Sequence, residues 1–197
     1  MERRHTSSGC NRKDMAKDQD SKFENSIFLK VGQSTVLRFP GLASKRIGLF
    51  GLGQSASTAA YRGLGEAVAA ASKASQASGV AVALASSEGL TADSKVSTAS
   101  AIASGTVLGV YEDTRFKSES KKAVLKSVDI IGLGTGPELE KKLKYVGDVC
   151  SGIIFGKELV NAPANVLSPG VLAEEASKIA SLYSDVLRAT ILDAERF

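Results

Sequence analysis

The chain has 197 residues, 43% of them apolar and 6% aromatic, with no tryptophan; that is enough for one domain, or one domain and part of another, with a core of small aliphatic side chains. A net charge of +4, with Lys and Arg interleaved with Asp and Glu over the first thirty residues, excludes a polybasic arm, and no nucleic-acid partner is expected. No apolar run approaches the ~18 residues that cross a bilayer, so no membrane partner is expected either.

Residues 1–30 are polar, carry few large apolar side chains and read as a poorly ordered tail. They contain neither a secretory signal nor a convincing transit peptide, which points to the cytoplasm, with the plastid as the alternative. A short strand is expected at Ser34–Phe39, before the Pro40-Gly41 turn signal, and a clearer one at Arg46–Phe50. Ala60, Leu64, Ala67, Val68 and Ala71 recur at helical spacing, predicting a helix over Ser55–Ala77 that Gly63 and Gly65 weaken and Gly79 ends. Val80–Leu84 is uniformly apolar and suits a buried strand.

A second helix is expected over Ala92–Gly109, with Val96, Ala99, Ala103, Thr106 and Val110 on one stripe. A charged connection follows from Glu112 to Lys122 and reads as a solvated loop. The next strand is Ser127–Leu133. A long helix starts at Pro137, a residue suited to a first helical position, and lines one face with Leu139, Leu143, Val146, Cys150 and Ile153 up to Val160. Ser168-Pro169 starts another helix, with Leu172, Ala176, Ile179, Ala180 and Tyr183 on its apolar face, and Leu187–Leu192 reads as a final strand. Alternation of strands with helices of this length gives an α/β layered fold.

Two glycine-rich turns invite a phosphate. Gly51-Leu52-Gly53-Gln54-Ser55-Ala56 fits the looser dinucleotide fingerprint between a strand and a helix. No acid ends the following strand to hold a ribose, so a plain tight turn is the simpler reading. Gly132-Leu133-Gly134-Thr135-Gly136 is the second such turn, and the pair could outline one concavity. His5 is the only histidine and lies in the tail. Cys10 reads as a solvated thiol and Cys150 as a small buried hydrophobe, with no disulfide framework between them.

Three stretches resemble the leucyl aminopeptidase family, in its plant type: KRIGLFGLGQ at 45–54, VDIIGLGTGPELEKKL at 128–143, and the most specific, ELVNAPANVLSPGVLAEEA at 158–176. The resemblance covers residues 31–193 closely and touches KDMAKD at 13–18. It implies a macrodomain-like α/β domain over 31–136, a linker helix over 137–160 and the opening of a catalytic domain over 161–197.

The same resemblance implies a hexameric enzyme in which two divalent metals (zinc, manganese or magnesium), held by a lysine, several aspartates and a glutamate, deliver water to the carbonyl of an N-terminal peptide bond, leucine preferred. The segments that carry those ligands have no counterpart here. Asp193-Ala194-Glu195-Arg196 is similar to one of them, but it lacks the preceding Asn-Thr and the internal glycine and reads as coincidence.

No catalytic, cofactor-binding or metal-ligating residue is therefore expected among the 197, and the chain alone is expected to bind no metal and to be inactive. The family pattern also implies that about one helix is skipped at Lys30-Val31 and that the chain stops just inside the catalytic domain. Peptides are the substrates the resemblance implies. The rival expectation is a non-catalytic module, either a subunit that joins itself or full-length aminopeptidases in hexamers, or a macro-like ligand-binding domain.

Overall fold

The computed structural model describes residues 29–30, 32–39, 46–53, 57–85, 89–117 and 125–192. The tail expected over 1–30 lies almost wholly outside them, as do His5, Cys10, Pro40-Gly41, Gln54-Ser55-Ala56 and Asp193–Arg196.

The strands pair two by two. β1 (Ser34–Arg38) and β2 (Arg46–Phe50) form an antiparallel pair with Val36 opposite Gly48. β3 (Gly79–Ala83) and β4 (Ser127–Ile131) form a parallel pair with Val80 opposite Val128 and Val82 opposite Ile130. Among the described residues the architecture is mixed helix with two small two-stranded sheets, in keeping with the α/β class that the alternation of elements predicts.

Between β2 and β3 lies α1 (Thr58–Ser75), started by Ser57, whose hydroxyl accepts from the Ala60 amide at 3.2 Å. Its buried residues Tyr61, Leu64, Gly65, Val68, Ala69 and Ser72 follow the i, i+3, i+4, i+7 rhythm of one face. The helix stops at Ser75, before the expected Ala77. Gln76 there adopts a left-handed φ of 51°, its amide donates to Lys73 O at 3.2 Å and the Ala77 amide reaches back to Ser72 O at 2.9 Å. Gly79 is not the terminator but the first residue of β3.

α2 (Ala92–Val110) is capped by Thr91, whose hydroxyl accepts from the Ser94 amide. Its middle is buried nearly all round, from Thr98 to Ile102, so the single stripe expected for it undercounts its contacts. Hydroxyls survive there because each finds a carbonyl within its own helix: Ser100 Oγ donates to Val96 O at 2.7 Å and Thr106 Oγ1 to Ile102 O at 2.9 Å.

α1 and α2 meet backbone to backbone. A Cβ at Gly65 would stand 2.2 Å from Ile102 O, and one at Gly105 2.1 Å from Arg62 O. The core gathers Tyr61, Leu64, Val68, Val82, Ala99, Ala101, Ile102 and Leu133, with Phe50, Leu52, Val80, Val128 and Ile130 packed against it. β3 is buried on one side only: Val82 is buried and Val80 half-buried, while Ala81 and Ala83 face out. The uniformly apolar Val80–Leu84 run is thus a one-sided strand, its outward positions filled by alanine.

α3 (Pro137–Asn161) begins as expected at Pro137, but Cys150 is its only buried residue; Leu139, Leu143 and Val146 are half-buried and Ile153 is exposed. α4 (Pro169–Leu182) has Ser168 as its cap, the hydroxyl accepting from the Val171 amide at 3.4 Å. It buries no residue.

The chain forms two compact units. One runs to Glu112 and resumes at Lys121 up to Gly147; the other takes Asp113–Ser120 and everything from Asp148. The final strand expected at Leu187–Leu192 does not form. A strand needs a neighbour for its N–H and C=O groups, and among the described residues none pairs with this segment.

Candidate functional site

The first glycine-rich turn is committed to its own chain. The Gly51 amide donates to Gln33 O at 2.9 Å, and the Gly51 carbonyl accepts from the Gly32 amide at 3.2 Å. A Cβ at Gly51 would stand 2.2 Å from Lys30 O. The close backbone approach that this glycine permits is made by residues 29–30, so its amide is not offered to a pyrophosphate. Gly53, with φ of 80°, supplies the sharp turn after β2.

The second turn is more open. Gly132, Gly134 and Gly136 take φ of 85°, 89° and 145°, and a Cβ at Gly134 or Gly136 would meet nothing within 4 Å. Leu133 between them is buried in the core and anchors the turn as it leads into α3. The described residues of the two turns share no hydrogen bond that would build one concavity.

The most organised polar cluster lies in the charged connection read as a solvated loop. The Arg115 guanidinium grips Asp113 in a fork, Nε to Oδ1 at 2.9 Å and Nη2 to Oδ2 at 2.7 Å. The same Nη2 donates to the Glu158 carbonyl at 2.7 Å, in the last turn of α3. The Arg115 side-chain hydrogen bond is the main cause that holds the Asp113 carboxyl down from 3.8 to about 2, helped by the Arg115 amide and charge and by the Asn161 side chain, and opposed by desolvation.

A group depressed in the folded state contributes stability that is present above its unfolded value and lost as the pH falls through the folded one. For Asp113 that window runs from 3.8 down to about 2. A side-chain carboxyl NMR titration should therefore give a midpoint near 2, and Arg115→Gln should return it towards 3.8. A midpoint near 3.8 in the unaltered chain would show that the fork is absent in solution.

The spacing Asp-x-Arg is visible in the sequence; its partners 43 residues onward, at Glu158, are not. Cys150 is buried, as its place on α3 predicts. Among the described residues no three His, Cys, Asp or Glu side chains stand together as a metal-holding group, and no helix is long and apolar enough to cross a membrane.

Residues 24–120 match the N-terminal domain of the cytosol aminopeptidase family. The chain is 60% identical to a tomato neutral leucine aminopeptidase, chloroplastic, over 95% of its own length and 37% of that protein's. It is 63% identical to an Arabidopsis thaliana leucine aminopeptidase 2, chloroplastic, over 95% of the chain and 36% of that protein. The chain thus spans little more than a third of the length of these relatives. A solved tomato leucine aminopeptidase mutant superposes with a TM-score of 0.82 at 54% identity, covering 98% of this chain and 40% of that one. By sequence and by fold, the chain belongs to the leucyl aminopeptidase family and corresponds to the N-terminal portion of its members.

Proposed function

We propose that residues 1–197 serve a metal-dependent leucyl aminopeptidase, one that releases N-terminal residues, leucine foremost, from peptides. The observation that carries this reading is identity of 60% and more to leucine aminopeptidases over nearly the whole chain. In it the two divalent metals, zinc, manganese or magnesium, are held by residues outside these 197. The only histidine is His5, and the family's ligand-bearing segments have no counterpart in the sequence. The parallel pair β3–β4 with α1 and α2 packed on its core residues supports a macrodomain-like layout.

A second reading makes the chain a non-catalytic module that joins aminopeptidase subunits in a hexamer. The apolar side chains that α4 and the residues after it leave on the surface favour it: Leu182 is 75% exposed and Val186 73%. For location, the chloroplastic names of the tomato and Arabidopsis relatives weigh towards the plastid, against the cytoplasm to which the first thirty residues point.

Purified chain supplied with manganese or zinc should not hydrolyse leucine p-nitroanilide. A chimera in which these residues replace the matching portion of the tomato neutral leucine aminopeptidase should do so in a metal-dependent way. Turnover by the chain alone would overturn the placement of the metals. A folded, metal-loaded but inactive chimera would overturn the aminopeptidase reading.

A further inference from the structure

The last carbonyls of an α-helix have no donor within the helix, and a basic side chain nearby commonly meets them. α3 has no basic residue in its last turn. Arg115 brings one from elsewhere, with Nη2 2.7 Å from the Glu158 carbonyl. Its guanidinium is not loose: Asp113 fixes it through the fork and also accepts from the Arg115 amide at 3.2 Å, and the Phe116 ring lies beneath it with its centroid 5.2 Å away. The Asp113 side chain is only 9% exposed, unlike the freely solvated acid of an ordinary surface pair.

A second observation is independent of these bonds. Asp113–Ser120 groups with the residues from Asp148 onward, although α2, which ends three residues before Asp113, belongs to the other unit. Residues 111–117 form no ladder, so backbone pairing does not hold them in that group. The Arg115 bond to Glu158 O joins the two segments, and it acts where the chain leaves α3. There the Ala162 amide donates to Leu159 O at 3.3 Å, and the Val166 and Leu167 amides turn back to Pro163 O at 2.8 and 3.0 Å.

We propose that Asp113 and Arg115 form a strap that fastens the connection after α2 to the C-terminal end of α3 and so fixes the direction in which Asn161–Leu167 leads into α4. Both are positioning residues. They make the Asn161-Ala162-Pro163-Ala164-Asn165 corner one rigid piece with a segment more than forty residues earlier. The depressed carboxyl of Asp113 keeps the strap closed at every pH above its titration, so it acts as a permanent fastening and not as an acid-sensitive switch.

Hydrogen exchange on the full chain tests this. In Arg115→Gln the amides of Ala162, Val166 and Leu167 should exchange about tenfold faster, the change expected on losing a charge-assisted hydrogen bond. Those of β3 and β4 should hold their rates. Arg115→Lys keeps the charge but cannot bridge Asp113 and Glu158 with one planar fork, and it should fall between the two. Asp113→Asn keeps the shape of the loop and should loosen the same three amides, so the strap stays testable if Arg115→Gln does not fold. Rates within twofold of the unaltered chain at those amides would overturn the proposal, as would an equal rise in β3 and β4.

Discussion

Gly105→Ala should destabilise the first unit by roughly 2–3 kcal/mol, where glycine-to-alanine in a helix ordinarily stabilises by about 1 kcal/mol. The new Cβ would stand 2.1 Å from Arg62 O and 2.9 Å from the Arg62 carbonyl carbon. Neither atom can rotate away, because both belong to the backbone of α1. The helices would have to separate, and that separation loosens Ile102, which is fully buried, together with Leu64 and Val68 in the same core. Gly65→Ala should act alike, since its Cβ would stand 2.2 Å from Ile102 O.

Gly63, two residues away on the same helix, meets nothing within 4 Å. Gly63→Ala should therefore show the ordinary gain of about 1 kcal/mol. Urea unfolding followed by far-UV circular dichroism reads all three. The same sign for Gly63→Ala and Gly105→Ala would show that the two helices do not touch backbone to backbone.

Those glycines show where the sequence stops being legible. Periodicity places α1 correctly, and a count of propensities marks Gly63 and Gly65 as equal weaknesses. What separates them is a neighbouring helix forty residues away, which no local pattern displays. The Ser168 cap is legible because it is local, its hydroxyl reaching an amide three residues on; Ser57 and Thr91 cap their helices in the same way, although the sequence pattern alone singles out neither. The uniform run at Val80–Leu84 misleads because alanine is apolar yet small enough to face water at little cost.

The glycine-rich turn at Gly51 carries a fingerprint whose physics, a close backbone approach, is real, but the approaching backbone is the chain's own. In the candidate polar cluster the Asp-x-Arg spacing is readable. Its attachment to Glu158 and Asn161 is a tertiary fact.

Removing residues 162–197 should leave the first unit folded and sharply reduce self-association. The second unit keeps little apolar surface from water where the chain runs on past α3. Leu172 is 46% exposed, Tyr183 51%, Leu187 49%, Ile191 49% and Leu192 51%. Together with Leu182 and Val186 they form an apolar series that α4 and its following turn leave uncovered. Each large aliphatic side chain left in water forgoes roughly 1.5–3 kcal/mol relative to full burial. Several such terms rival the ~5–15 kcal/mol that holds a whole domain together, so association that covers them is strongly favoured.

Past Leu187, whose amide donates to Tyr183 O, the backbone of 188–192 joins no strand ladder in the same region. None of the first unit's core residues lies in 162–197, so the deletion takes away adhesion without taking away core. Light scattering should report large species for the full chain and a monomer for the shortened one, with the melting temperature of β3, β4 and their helices nearly unchanged. Hydrogen exchange on the full chain should concentrate protection in Ile47–Phe50, Val80–Ala83 and Val128–Ile131. Strong protection of Leu187–Leu192 in a monodisperse monomer would mean that this segment pairs within its own chain, and the exposed surface would then not be the cause of association.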